Sequence, residues 1–303
     1  MPSRSTARLE LAAAAILFST GGAAVKAADF TGWQITCLRS GIAAVAIWLM
    51  TREARGPWTR RHLVVGVAYA ATLTLFVLAN RLTTAANAIY LQSTAPLYLA
   101  ILAPWLLREP TRRQDLALMA AVGLGLALFF VGVDQPVESA PDPLRGNLLA
   151  AASGLTWALT VCGLRWMGSG GAARGSAVVA VVVGNLMASA GALPFALPLG
   201  SHGLGDWALV GYLGVFQIAL AYVLVTRALT TIPALEASLI LLIEPVLNPV
   251  WAWIFQGERP NAWALAGGGV ILSATTIRTV LDARRGPESP VPLEADAPRM
   301  PAA

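Results

Sequence analysis

Charged side chains are scarce in this sequence. Only 12% of its residues are charged, against about a quarter in soluble domains, which need a polar surface. Hydrophobic residues make up 56% of the chain, and the mean hydropathy is +0.65. Several stretches without charge approach the roughly 20 apolar residues with which a helix crosses a hydrocarbon core. They are 63–80, 85–107, 116–133, 146–164, 175–201 and 207–226. The sequence therefore excludes a soluble protein and predicts an all-α integral membrane protein.

Residues that commonly hold metals or cofactors are also rare. Cys37 and Cys162 both lie in apolar stretches, and His62 and His202 have no cysteine or carboxylate cluster beside them. These absences give no basis for a disulfide framework or a zinc site. The one lysine, Lys26, does not follow the glycine pattern of a phosphate-binding loop, which argues against an ATP-driven pump. Without paired acids or a Ser/His set, catalysis has little support, so we expect no enzyme and no cofactor.

Apolar segments of suitable length predict ten membrane-spanning helices. Their ranges are 9–27, 33–50, 63–80, 85–107, 114–133, 146–166, 177–199, 206–226, 236–256 and 261–281. These spans form a single transmembrane domain, residues 1–281. The remaining residues, 282–303, are rich in proline, alanine and charge, and we expect a disordered tail there.

Arginine is distributed unevenly between the two sides of the predicted membrane. With the N-terminus in the cytoplasm, sixteen arginines fall in cytoplasmic segments: Arg4, Arg8, Arg52, Arg55, Arg60, Arg61, Arg108, Arg112, Arg113, Arg165, Arg174, Arg227, Arg278, Arg284, Arg285 and Arg299. The opposite side has four basic residues: Lys26, Arg81, Arg145 and Arg259. This bias predicts that both termini are cytoplasmic in a multi-pass protein of a bacterial inner membrane. The basic charge is thus an orientation signal, and we expect no nucleic-acid partner.

Two segments of the chain resemble each other. Residues 90–110 align with 239–259 at a constant offset of 149, which pairs Pro96 with Pro245 and Glu109 with Glu258. Each half then has five spans, an odd number, so the halves must run in opposite directions through the membrane. The sequence predicts two inverted five-helix repeats, residues 9–133 and 146–281, with a substrate bound between them near the midplane.

Four motifs resemble the drug/metabolite transporter superfamily, in its ten-helix EamA-type branch. They are LLIEPVLNPVWAWIFQGE at 241–258, TAPLYLAILAPWLLRE at 94–109, CLR at 37–39 and LTWA at 155–158. The resemblance covers residues 9–281. It implies a secondary exporter of amino acids or other small metabolites, most similar to the subgroup that exports aromatic and other amino acids.

Two prolines and one glutamate are the most unusual residues within the spans. Pro96 and Pro245 should interrupt their helices, either as a hinge or gate of the cavity or as a static kink. Glu244 is the one carboxylate near the middle of a predicted span. It could bind a substrate ammonium, carry a coupling proton, or hydrogen-bond backbone freed by Pro245, and the last interpretation is favoured.

Polar and aromatic residues recur at helical spacing in spans one, three, four, six, eight and nine. In the fourth span, for example, Tyr90, Thr94 and Tyr98 fall on one helix face. Such stripes predict a substrate cavity, although helix packing is the simpler interpretation of any single residue. The predicted cavity residues are Ser19, Thr20, Gly21, Tyr69, Thr72, Phe76, Tyr90, Thr94, Tyr98, Trp157, Thr160, Gln217, Glu244 and Asn248.

Charged residues near the ends of spans have structural interpretations. Arg39 lies about six residues inside the second span, where snorkelling to the interface is favoured over anion binding. Lys26 ends the first span and should snorkel too. Glu109 and Glu258 are each followed closely by proline, which predicts N-caps of the fifth and tenth spans.

An exporter working by alternating access is the leading function, with small-molecule substrates and the lipid bilayer as partners and a monomer or weak dimer as its state. Export of cationic drugs or other metabolites is the alternative. Small multidrug members of the superfamily rely on a glutamate in the first span, and AAAAILFSTGGAA at 12–24 has none. An intramembrane enzyme or assembly factor is a third possibility, which proteoliposome transport would distinguish.

Overall fold

Helices form nearly all the regular structure of the described chain. The computed structural model describes residues 3–106, 113–131, 135–168, 176–228, 231, 237 and 240–284. The helices are α1 (Arg4–Ser19), α2 (Gly21–Ala27), α3 (Gly32–Met50), α4 (Arg60–Leu82), α5 (Ala85–Gln92), α6 (Ala95–Leu106), α7 (Arg113–Val131), α8 (Pro143–Gly168), α9 (Ser176–Ala196), α10 (Leu204–Tyr212), α11 (Ala221–Ala228), α12 (Ile243–Gln256) and α13 (Ala262–Arg284). A π-helix, Leu213–Leu220, joins α10 to α11.

Several of these helices are suited to a membrane. Seven helical stretches of the described residues are long and apolar enough to cross one: Arg4–Ala27, Gly32–Met50, Arg60–Leu82, Pro143–Leu164, Ala177–Ala196, Leu204–Ala228 and Ala262–Leu281. The prediction of an all-α, multi-pass membrane protein is therefore confirmed. The predicted fourth and ninth spans contain the shorter helices α5, α6 and α12.

Threonine side chains cap the starts of three described helices, α3, α4 and α5. Thr31 forms a capping box with Gln34 at the start of α3, and Thr84 accepts from the Asn87 backbone N–H at the start of α5. Such caps satisfy backbone donors that have no partner within the helix. They allow turns of a few residues between consecutive helices.

Helices of the two predicted repeats pack mainly against each other. α3 and α4 both contact α9, α4 also contacts α8, and α7 packs along α13. α1 contacts α11 and α12. The interior between these helices is consequently built from residues distant in sequence.

Parts of two predictions lie outside the described residues. Glu109 with its predicted capping role, and residues 285–303 of the predicted tail, are among them. The last helix continues to Arg284, beyond the predicted end of the tenth span at 281.

Candidate functional site

A cavity of about 360 Å³ lies among helices of both predicted repeats. This volume is in the range of small-molecule pockets, about 300–1,000 Å³. Most of its wall is aromatic or aliphatic: Phe18, Leu73, Phe76, Ile89, Ala95, Pro96, Trp157, Ile218, Val225, Leu241, Leu242, Pro245 and Leu272. The polar members are Arg39, Tyr69, Thr72, Gln92, Ser93, Gln217, Tyr222, Glu244 and Thr275. An apolar wall with a few polar groups suits a small ligand that has both kinds of surface.

Two helix breaks line this cavity, and the residues of one match those of the other at the sequence offset of 149. One is the Ser93–Thr94 turn between α5 and α6, and the other precedes α12. The first break lines the cavity with Gln92, Ser93, Ala95 and Pro96. The second lines it with the residues 149 positions later, Leu241, Leu242, Glu244 and Pro245. Residues that match in the sequence repeat therefore meet at one site.

Pro96 and Pro245 lie at the starts of helices. Pro96 is the second residue of α6, and Pro245 is the third residue of α12. In the first turn a backbone N–H has no acceptor within its helix, so proline is tolerated there. The expected kink inside a continuous helix is thus replaced by a break followed by a new helix.

Glu244 lines the cavity from the first turn of α12. A carboxylate is favoured at a helix N-terminus, where unpaired N–H groups give a partial positive charge. Among the described residues no ion pair includes Glu244. The three roles predicted for Glu244, binding a substrate ammonium, carrying a proton, or hydrogen-bonding backbone freed at Pro245, therefore stay predictions.

The wall opposite the breaks comes from the third and sixth spans. Tyr69, Thr72 and Phe76 line the cavity from α4, and Trp157 lines it from α8. The Thr72 hydroxyl donates to Thr156 Oγ1 at 3.0 Å, which joins the two helices. All four cavity residues belong to the set predicted from helical spacing.

The π-helix contributes Gln217. This side chain is 4% exposed and lines the cavity. Its Nε2 donates to the Phe18 carbonyl at 3.4 Å, a long hydrogen bond, and its buried Oε1 has no partner among the described residues. π-Helical turns occur frequently at functional sites, because the wider turn alters where side chains point.

Four predicted residues of spans four and six are not among the residues that line the cavity. Tyr90 packs on Phe129, with ring centroids 6.2 Å apart, and its ring fills the space above Gly268. The Thr94 hydroxyl donates to the Leu91 carbonyl, and Tyr98 lies beyond the break. The predicted stripe assumed one continuous helix, and the Ser93–Thr94 turn disrupts its spacing. In α8, Thr160 is 1% exposed and donates to the Thr156 carbonyl.

Residues predicted from the first span and from α12 take part in packing. Ser19 accepts from Trp251 Nε1 at 2.9 Å, and the Thr20 hydroxyl lies 2.8 Å from that of Tyr212. The space beside Gly21, a predicted cavity residue, and beside its neighbour Gly22 is filled by protein. A Cβ on Gly21 would lie 2.7 Å from Gln217 Nε2, and one on Gly22 2.7 Å from Asn248 Oδ1. Asn248 itself is fully buried.

Arg39 is buried at the cavity wall, so the prediction that it snorkels is wrong. Its side chain is 1% exposed, and its Nε and Nη2 atoms have no hydrogen-bond partner in the described chain. α3 directs it towards Tyr69 and Tyr222, which lie within electrostatic range. An arginine well inside an apolar span was the signal for a functional site.

Lys26 and Glu258 form a buried ion pair, which corrects two further predictions. Lys26 Nζ lies 2.7 Å from Glu258 Oε1, and the two side chains are 5% and 4% exposed. Lys26 also donates to the Thr83 carbonyl at 2.9 Å, so it does not snorkel. Glu258 accepts from the Ala85 backbone N–H at 2.9 Å and thus caps α5. The start of α13 is capped by Asn261, which accepts from Ala264.

A multi-pass helical protein with a cavity lined by two corresponding helix breaks has the features of a membrane transporter. The comparison with known families agrees. The model of the EamA-like transporter family matches residues 8–131 and again residues 144–279, and the chain belongs to this family. A small-molecule substrate and the lipid bilayer are its partners accordingly.

Curated relatives match nearly the whole chain. The pseudopaline exporter CntI of Pseudomonas aeruginosa strain UCBPP-PA14 is 29% identical over 268 residues, which cover 86% of this chain and 91% of the relative. A transporter of Archaeoglobus fulgidus is 25% identical over 264 residues, covering 87% and 92%. A solved crystal structure, 20% identical, covers 93% of this chain and 100% of its own with a TM-score of 0.61, which shows the fold alone.

Proposed function

We propose that this protein is a secondary transporter that exports amino acids and related small metabolites across the bacterial cytoplasmic membrane by alternating access. One observation carries the proposal: two breaks, 149 residues apart in the sequence, line the same cavity. Secondary transporters commonly bind substrate at discontinuous helices where two repeats meet. In this proposal Pro96 and Pro245 mark the hinges at which the repeats move.

Ten spans in two inverted repeats would account for the helix packing. If the two repeats are equivalent, spans one to five correspond in order to spans six to ten, and a contact between two spans should recur between their counterparts. The contact of α4 with α8 then corresponds to that of α11 with α1, and the contact of α4 with α9 to that of the π-helix with α3. The contacts of α5 and α6 with α8 correspond to those of α12 with α1 and α2. The double match of the family model to one chain supports the same duplication.

An amino-acid type of substrate fits the chemistry of the cavity. Its walls offer aromatic and aliphatic surface for a side chain, while hydroxyl, amide and charged groups are available for a polar backbone. Export is also the activity named for the pseudopaline exporter of Pseudomonas aeruginosa. The alternative, export of cationic drugs, would use Glu244 alone.

Counterflow in proteoliposomes tests the function. Vesicles loaded with an unlabelled amino acid should transiently accumulate the same labelled compound, and empty liposomes should not. A panel of amino acids, organic amines and sugars separates the candidates, because a drug exporter would accumulate amines only. Conversion of a compound without its movement would indicate an enzyme and contradict the proposal.

Thiol accessibility tests the predicted orientation. Cysteines introduced one at a time at 52–61, in a variant lacking Cys37 and Cys162, should react only from the cytoplasmic side. Labelling of this loop by an impermeant reagent added outside intact cells would contradict the orientation with both termini inside.

A further inference from the structure

The cavity is lined by one basic and one acidic side chain that do not pair with each other. Arg39 lines it from α3, and Glu244 lines it from the first turn of α12. No ion pair, with nitrogen and oxygen within 4.0 Å, joins them. Of the described residues that line this cavity, they are the one base and the one acid. Since neither side chain is paired with the other, each is available to a polar group of a ligand.

The two unpartnered nitrogens of Arg39 form one edge of its guanidinium group. Nε and Nη2 carry N–H bonds that point the same way, which is the geometry that binds both oxygens of a carboxylate. Both atoms are buried without a hydrogen-bond partner in the described chain. The neighbouring hydroxyls of Tyr69 and Tyr222 are uncharged near neutral pH and do not balance the charge. A buried guanidinium is unfavourable unless an anion pairs with it.

We propose that Arg39 is the carboxylate-binding residue of the cavity, with Glu244 binding the ammonium group of the same molecule. This inference rests on the proposed transport function and defines its substrate class. Substrates then carry a carboxylate and an amine beside an apolar or aromatic part. Glu244 would disfavour a plain carboxylic acid, and Arg39 would disfavour a plain amine such as a cationic drug.

Phosphate esters fit these charges poorly. A phosphate monoester carries about 1.5–2 negative charges near neutral pH. The described wall supplies one cation, and Glu244 adds a negative charge to the same cavity. A carboxylate of single charge, accompanied by an ammonium group, leaves the occupied cavity neutral.

Binding of matched pairs of compounds tests the role of Arg39. Each amino acid is compared with the amine that lacks only its carboxylate: L-phenylalanine with phenethylamine, L-leucine with isopentylamine, and L-histidine with histamine. Equilibrium binding is measured on the purified full-length wild type, Arg39→Gln, Arg39→Lys and Arg145→Gln. Arg145 is exposed, so its variant removes the same charge away from the cavity.

We expect the wild type to bind at least one amino acid more tightly than its amine. Arg39→Gln should weaken binding of that amino acid about ten- to a hundredfold, as expected for loss of a charged hydrogen-bonded pair. Binding of the amine should not weaken, because the variant removes a like charge from the cavity. Arg39→Lys should give a smaller loss, and Arg145→Gln none. If Arg39→Gln aggregates, the proposal is tested by two other results: the preference of the wild type for the amino acid over its amine, and the loss of amino-acid affinity in Arg39→Lys.

Equal binding of amino acid and amine by the wild type, no binding of any amino acid, or wild-type affinity in Arg39→Gln would each overturn the proposal. Counterflow with the same preparations separates this failure from that of the proposed function. Selective binding without counterflow would leave the carboxylate site standing and refute transport of these compounds. Counterflow that is unaffected by Arg39→Gln would leave transport standing and refute the site.

Discussion

Two buried cations of this protein have contrasting surroundings. Lys26 has a carboxylate 2.7 Å away and a backbone carbonyl at 2.9 Å, so both its charge and its donors are used within the protein. Arg39 is buried more completely, yet its Nε and Nη2 have no partner in the described chain. The first lies where α2, α5 and the segment after α12 meet, and the second lies at the cavity.

We interpret this difference as one between a structural charge, Lys26, and a charge available to a ligand, Arg39. A buried ion pair that is already complete holds helices together and leaves nothing for a ligand. A buried cation without a partner is retained at a cost, which a ligand can offset. Burial alone does not distinguish the two, because both side chains are hidden from solvent.

Loss of Lys26 should have the largest effect on stability. Lys26→Met leaves the Glu258 carboxylate buried without its partner, so the free energy of unfolding should fall by about 3–5 kcal/mol. The double variant Lys26→Met/Glu258→Gln removes that unpaired charge and keeps an acceptor for Ala85. It should recover a large part of the loss in thermal unfolding of the purified protein. Unchanged stability in the single variant would show that the pair is not structural.

Crowding Tyr69 should disturb the wall beside Arg39. A Cβ at Gly184 would lie 2.5 Å from Tyr69 Cδ1 and 3.1 Å from the Gly66 carbonyl. Gly184→Ala should therefore cost about 1–3 kcal/mol of stability and weaken amino-acid binding. Gly191→Ala, on the same helix with open space around it, is the matched control and should retain wild-type behaviour. Equal behaviour of the two variants would contradict the packing described for Tyr69.

Glu244 is the acidic side chain that lines the cavity, and its replacement tests whether it binds the substrate. If it binds the substrate ammonium, Glu244→Gln should weaken amino-acid binding about tenfold or more and reduce counterflow, with stability unchanged. A proton carrier would behave differently, because the variant would lose the pH dependence of net transport and keep counterflow. Wild-type rate and pH profile in the Gln variant would instead support a structural role.

Replacement of Arg39 should have the smallest effect on stability. Arg39→Met removes a charge without a partner. The free energy of unfolding should therefore stay within about 1 kcal/mol of the wild-type value or increase. Measured beside Lys26→Met under the same conditions, this variant tests the contrast directly. A loss as large as that of Lys26→Met would mean that Arg39 has a structural partner.

Sequence reasoning succeeded where a signal is local. Hydropathy located the seven long apolar helices of the described residues, and Pro96 and Pro245 lie beside the two breaks. Helical spacing within the unbroken helix α4 selected three residues that line the cavity, Tyr69, Thr72 and Phe76. The same spacing failed for Tyr90 and Tyr98, because the predicted stripe ran through the turn at Ser93–Thr94.

Where partners come from distant segments, sequence reasoning was wrong. Glu258 has the local pattern of an N-cap, yet it caps α5, more than 170 residues earlier in the chain. Arg39 was expected to snorkel because only its depth in the span was considered. Which face of α3 meets α4 and the π-helix depends on tertiary packing, which a single sequence does not specify.

Counterflow after thiol blocking at the two breaks tests the central claim, that substrate occupies the cavity between them. Ser93→Cys and Leu242→Cys place one thiol at each break, and Val246→Cys is the control, an outward-facing position on α12 that is 54% exposed. All three are made in a variant lacking Cys37 and Cys162 and treated with a bulky maleimide. We predict that labelling abolishes amino-acid counterflow at both breaks and leaves the control active. Full counterflow with Ser93 and Leu242 positions completely labelled would contradict the account.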